Sequence, residues 1–187
     1  DKTFTGTLRV ETNDPSKPVL SELFNGSSVE ADVSVSPANG SVADFGKIRL
    51  AGTVTKNQTL TLTNSGTAPA NITGIRIQND ETGTFELITK SISPGQSINS
   101  ESSETLTVEA DPTAVGSETA TLVIETETKT SDATATLAAV GVKPEIALNT
   151  QSVSFNRTRL GETSTEDIII RNTGNVPLNV SSIAIEG

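Results

Sequence analysis

One stretch of this chain occurs twice. Leu60-Thr61-Leu62-Thr63-Asn64-Ser65-Gly66-Thr67-Ala68-Pro69 returns as Ile168-Ile169-Ile170-Arg171-Asn172-Thr173-Gly174-Asn175-Val176-Pro177, a step of 108 residues. Gly6-Thr7-Leu8-Arg9-Val10-Glu11-Thr12 returns as Ala120-Thr121-Leu122-Val123-Ile124-Glu125-Thr126, a step of 114. A unit of about 110 residues therefore recurs, and recurrence at a fixed spacing points to an array of small domains rather than one large enzyme fold. The echoes run in opposite directions. Residues 1–29 read as the C-terminal part of a first module, 30–142 as a complete module, and 143–187 as the N-terminal part of a third. The central unit is long enough to bury its own core, whereas the flanking pieces need something to complete them.

Within the unit, apolar and polar residues alternate with period two. Thr59-Leu60-Thr61-Leu62-Thr63 places two leucines on one face and threonines on the other, and Leu106, Val108 and Ala110 repeat the pattern. The expected strands of the central module are 31–36, 41–45, 57–63, 70–77, 84–88, 103–110, 118–125 and 133–140, with an irregularity at Gly74. No eleven-residue window carries a helical stripe. Asn64-Ser65-Gly66, Asn172-Thr173-Gly174, Pro94-Gly95 and Asn39-Gly40 suit turns with positive φ, and Asp111-Pro112 and Asn13-Asp14-Pro15 close strands. Short strands separated by turn signals predict an all-β fold of tandem Ig-like antiparallel β-sandwiches, about seven strands per module. The expected core is Phe45, Leu60, Leu62, Ile72, Ile75, Ile77, Phe85, Leu106, Val108, Leu122, Ile124 and Leu137. Ser27-Ser28-Val29-Glu30 and Gly141-Val142-Lys143-Pro144 are short linkers, which suits a semi-rigid string of domains.

Composition narrows function by what is missing. The chain has no His, Cys, Tyr, Trp or Met among its 187 residues. Without imidazole or thiol, the usual general base, transition-metal ligands and disulfides are all excluded. Without Tyr or Trp, the flat rings that stack on bases or sugars are lacking. A net charge of -10 disfavours nucleic acid and anionic lipid alike. No run approaches the roughly 18 apolar residues of a spanning helix.

The motifs resemble a known family. Val35-Ser36-Pro37, Phe45-Gly46, Gly52, Leu60-Thr61-Leu62-Thr63-Asn64-Ser65-Gly66, Pro94-Gly95 and Asp111-Pro112-Thr113-Ala114-Val115-Gly116 look like the abnormal-spindle/hydin-like immunoglobulin family, whose bacterial members are called choice-of-anchor D domains. The third copy keeps Phe155, Gly161 and Asn172-Thr173-Gly174 but has Asn156 in place of Gly46, and the first keeps a Thr12-Asn13-Asp14-Pro15 corner. The resemblance implies seven-stranded sandwiches in tandem, serving as spacers, scaffolds or stalks of microbial surface proteins or of cilia and centrosomes, with no catalytic site.

Candidate sites are few. Ser91 beside Lys90 is the nearest approach to a nucleophile pair, and a solvated loop explains it better. Asp80-Glu81 and Asn13-Asp14 are the best oxygen-rich clusters for Ca²⁺, but neither has the alternating spacing that wraps an ion. Asn25, Asn39, Asn57, Asn71, Asn156 and Asn179 head Asn-x-Ser/Thr sequons, the positions for covalently attached glycans. No catalytic residue, cofactor or metal ligand is assigned. The expected function is a non-enzymatic structural spacer, a rod in an extracellular filament, stalk or cell-surface layer. The alternatives are an adhesin or scaffold binding a protein partner through a sheet edge, and accessory domains of a larger secreted enzyme. The expected partners are neighbouring copies or adjacent modules, head to tail or by strand addition. The two end pieces together lack a counterpart of residues 81–117, so a segment of a longer tandem chain is preferred over a subunit-completed filament.

Overall fold

The computed structural model describes residues 2–37, 42–50, 54–127 and 132–187. The strands are β1 (Thr3–Glu11), β2 (Val19–Ser27), β3 (Val33–Ser36), β4 (Val42–Arg49), β5 (Lys56–Asn64), β6 (Ala70–Gln78), β7 (Phe85–Lys90), β8 (Ser97–Ile98), β9 (Ser102–Ala110), β10 (Gly116–Thr126), β11 (Ala133–Val142), β12 (Ile146–Leu148) and β13 (Ile170–Asn172).

Period-two patterning becomes two facing sheets. One has the order β3-β5-β9-β7, the other β4-β11-β10-β6-β8. On β5, Leu60 and Leu62 point inward; on β9, Leu106, Val108 and Ala110 do so; on β10, Ala120, Leu122 and Ile124. Phe45 and Phe85 meet across the interior with ring centroids 5.5 Å apart at 59°, a tilted pairing. The outward positions of β5 and β9 carry hydroxyls in register. Thr59 hydrogen-bonds Thr107 at 3.3 Å and Thr63 bonds Ser103 at 3.0 Å, cross-strand pairs that suit a solvated face.

The all-β, sandwich expectation holds, and ten of the twelve expected core residues are buried. Ile75 and Ile77 instead lie partly exposed against the core. Three details differ from the sequence reading. β4 runs parallel to β11, while every other pair among the described residues is antiparallel. A bulge on β4, with Gly46 at φ 68°, re-aims that strand. The two-residue β8 is too short for a periodicity signal, yet it buries Ile98. The irregularity expected at Gly74 appears as a register shift opposite Glu125 and Thr126.

Outside the sandwich, β1–β2 is a two-stranded hairpin and β12–β13 a short separate pair. Residues 143–187 form little further strand: residues 149–169 and 173–187 contain none. The reason lies in the central copy. There β4 pairs with β11, β6 with β10, and β5 with β9 along nine residues. Residues 143–187 hold no counterpart of β9, β10 or β11, so only the pair matching β3–β5 persists.

The repeat supplies an internal control for core energetics. Leu122→Ala is expected to lower unfolding free energy by about 3 kcal/mol, the cost of a buried cavity, measured by urea titration. Leu8→Ala, at the repeat-equivalent but exposed position, is expected to change the same transition by less than about 0.5 kcal/mol.

Candidate functional site

β5 alternates inward as Leu60, Leu62, Asn64, so an amide occupies a core position at its end. Asn64 has no exposed surface, and every hydrogen-bonding group of the amide is used. Its Oδ1 accepts from Asp32 N at 3.0 Å and Gly66 N at 3.1 Å. Its Nδ2 donates to the carbonyls of Ala68 at 2.8 Å, Ile98 at 3.1 Å and Asn99 at 3.2 Å. One side chain thus joins the incoming segment, the β5–β6 turn and β8. Backbone bonds reinforce it: Ser65 N donates to Asp32 O at 2.9 Å and Thr67 N to Glu30 O at 2.8 Å.

Gly66 belongs to the same clasp for a reason other than the positive φ expected of it. Its φ is ordinary, but a Cβ there would lie 2.7 Å from Ala31 Cα and 2.5 Å from Asp32 N. The requirement is closeness of two backbones, not a left-handed conformation. Pro94-Gly95 does adopt the expected geometry, with Gly95 at φ 89°.

The clasp is built again 108 residues on. Asn172 Oδ1 accepts from Glu145 N at 3.2 Å and Gly174 N at 3.0 Å, and its Nδ2 donates to Val176 O at 2.8 Å. Thr173 N donates to Glu145 O at 2.8 Å, and Asn175 N to Lys143 O at 3.1 Å. Gly174 packs on Lys143, Pro144 and Glu145 as Gly66 packs on Glu30, Ala31 and Asp32. In both copies the clasped residues are those that lead into the module. Arg49, at the end of β4, donates to Pro177 O at 3.1 Å and so links the sandwich to the second clasp. With no counterpart of β8 over it, Asn172 is exposed.

The other candidates resolve into turn and surface chemistry. Asp80 accepts the amides of Thr84 at 2.9 Å and Phe85 at 2.8 Å. Asp14 accepts Ser16 Oγ at 2.7 Å and Ser16 N at 2.8 Å; these bonds, the hydroxyl's first, hold its carboxyl below the usual carboxylate range. Ser91 Oγ donates to Glu104 and accepts Thr105 N, which fixes it to β9 rather than to Lys90. Among the described residues, no group of three or more acidic side chains could hold a metal ion. The sequon residues Asn25, Asn57, Asn71, Asn156 and Asn179 are all exposed. Asn71 is nonetheless engaged, accepting from Ser97 Oγ and donating to Glu127 at 2.8 Å. Asn39 and the Asn39-Gly40 turn lie outside the described residues.

Two apolar faces stand open. On the hairpin, Phe4, Leu8 and Val10 of β1 share a face with Leu20 and Phe24 of β2. In the C-terminal segment, Ile146, Leu148, Ile168, Ile170, Val180 and Ile183 line a hollow of about 460 Å³. The flanking strands were legible in the sequence as echoes of the central repeat. The buried amide was not, since Asn-x-Gly reads as an ordinary turn.

A family model described as HYDIN/CFA65/VesB-like, Ig-like domain matches residues 37–140, more than half of the chain. No curated protein matches. Among solved structures, the chain is similar to the secreted serine protease VesC from Vibrio cholerae at 21% identity and a TM-score of 0.43, covering 55% of this chain and 22% of that one. It is similar to the Vibrio cholerae VesB protease at 15% identity and a TM-score of 0.43, covering 59% and 31%. The ASH/PapD-like domain of human CEP192 aligns at 14% identity with a TM-score of 0.44, covering 60% and 87%. The chain therefore spans less than a third of either protease.

Asn64→Ala removes a fully buried amide together with all five of its hydrogen bonds, so a loss of about 3 kcal/mol is expected by chemical denaturation. Gly66→Ala should destabilise comparably through the backbone collision. Asn172→Ala, where water can replace the amide, should leave the main transition near wild type. A separate outcome concerns pH. Asp14's folded pKa is depressed, so its contribution to the β1–β2 turn is complete above the usual carboxylate value and is lost as pH falls through the lowered one. Carboxyl NMR should show a midpoint below the model-peptide value, and Ser16→Ala should move it up.

Proposed function

The chain belongs to the HYDIN/CFA65/VesB-like Ig-like domain family, and from that membership we propose that it is a non-catalytic spacer. The modules divide at 1–29, 30–142 and 143–187, and the array stands in an extracellular stalk, filament or surface layer. The observation that carries this reading is the duplicated clasp. The same Asn-x-Gly corner twice binds the residues that lead into a module, which shortens the free linker and limits bending. Arg49 on Pro177 adds a cross-link between successive units. Hydroxyl-bearing outer strands and a net charge of -10 keep such a rod soluble and weakly adhesive.

The family description itself includes VesB, the name of a Vibrio cholerae protease. That favours a second reading, accessory Ig-like modules of a larger secreted enzyme. Labelling of the full-length polypeptide by a serine-directed fluorophosphonate would favour it over a pure spacer.

The spacer reading is tested by junction stiffness. The chain has no native cysteine, so Glu86→Cys and Arg171→Cys take spin labels without competition. A single narrow distance distribution is expected in spin-diluted samples, broadening with Arg49→Ala. A broad distribution in the otherwise unaltered chain would sink the semi-rigid spacer.

A further inference from the structure

The flank of the central sandwich between β6 and β7 is closed over only part of its length. After β7, residues 91–98 cross from one sheet to the other and end as β8, which pairs with β6 at Ala70 and Asn71. Ile72 N donates to Gln96 O at 2.9 Å and Ile72 O accepts from Gly95 N at 2.8 Å, and the row stops there, at the Pro94-Gly95 turn. Along this part Ile92 and Ile98 are buried. Further along, Ile75 lies opposite Ile124 and Ile77 opposite Leu122. Both hold core positions, as does Leu87 of β7, in phase with buried Phe85. All three nevertheless remain partly exposed. No strand among the described residues pairs with 74–78 on the side away from β10.

β6 is the edge of this flank that can take a further strand. β7 carries exposed Glu86 and Lys90 and a bulge between Leu87 and Thr89, devices that blunt an edge. Residues 74–78 keep a regular ladder with β10. Their one charge, Arg76, pairs with Glu125 of β10 and is thereby drawn away from the edge.

The chemistry at the end of this edge is acidic. Beyond Gln78, Asn79 and Glu81 join Ser117, Glu118 and Thr119 around a polar hollow of about 370 Å³. Glu118 accepts Thr82 Oγ1 at 3.0 Å, and among the described residues no Lys or Arg lines the hollow. Exposed Glu86 stands on the strand across the flank. A second copy suits this edge poorly, since each chain carries a charge of -10 and like charges repel.

We propose that residues 74–78 of β6 bind an extended, basic segment of another protein by strand addition. Main-chain bonds to β6 continue the β8 row, and alternate aliphatic side chains cover Ile75, Ile77 and Leu87. A Lys or Arg at the end of the segment enters the hollow between Glu81 and Glu118. This role does not rest on the spacer reading, because a rod of any stiffness presents the same edge.

The test uses the full 187-residue chain and a fluorescein-labelled peptide of alternating Val and Thr with Lys at both ends. Saturable binding is expected, with amide exchange slowed at 74–78 and affinity falling as salt is added. A peptide with Glu in place of each Lys should bind about tenfold more weakly, as should the Lys-ended peptide to Glu81→Lys. Ile77→Lys should also weaken binding, and an unchanged melting transition verifies its fold. Should that variant unfold, Glu81→Lys carries the test, since its side chain is exposed. A Lys-ended peptide that fails to bind, a Glu-ended one that binds equally well, or protection outside 74–78 would each overturn the proposal. So would protection of 74–78 before any peptide is added. If that protection rises with chain concentration, the occupant is a second copy; if it does not, the occupant is a segment of the same polypeptide.

Discussion

In the central module each strand has a neighbour to complete its hydrogen bonds and a second sheet to cover its apolar face. Where both are reduced, as at β13, the strand is short; the β1–β2 hairpin keeps its nine-residue pairing with no covering sheet among the described residues. The repeat sets two of these cases side by side. β5 is paired on both edges and spans nine residues; β13, its equivalent, has one partner and spans three. The two segments carry large aliphatic side chains at equivalent positions, Leu60 and Leu62 against Ile168 and Ile170, so propensity does not separate them. Sheet formation here is a tertiary event, and the sandwich is the smallest piece of the repeat that satisfies both conditions at once.

The buried asparagine is the point at which that requirement reaches beyond a single strand. A leucine at position 64 would continue the alternation of β5, but it would forfeit the bonds that Asn64 makes to the amides of Asp32 and Gly66 and to the carbonyls of Ala68, Ile98 and Asn99. The fully satisfied amide resolves this. Gly66 follows from it, because backbones drawn together this tightly leave no room for a methyl group. The conserved geometry between the two copies extends through the backbone bonds of the flanking residues, though their surroundings differ in burial.

Alternation of apolar and polar residues exposed the strands of the central module, and the repeat exposed the second Asn-x-Gly corner at Asn172. Phe45, Leu60, Leu122 and Leu137 were legible as core because each sits in phase with its neighbours. The parallel pairing of β4 with β11 was not, since period two carries no direction. Neither was β8, two residues long, nor Asn64, whose polar type disguises a core position. Positive φ was legible at Gly95 but misread at Gly66, because a turn motif and a steric cleft can select the same residue. Clusters such as Asp80-Glu81 proved to be turn caps, a distinction that depends on which amides lie nearby.

The parallel β4–β11 pair has a mechanical consequence. A pull along a tandem chain enters the sandwich ahead of β3 and leaves at the end of β11. Because β4 and β11 run in the same direction, the two are dragged past one another along their lengths. Their ladder bonds then share the load in shear rather than opening one at a time like a zipper, so the link nearest the exits is also where the module is hardest to tear.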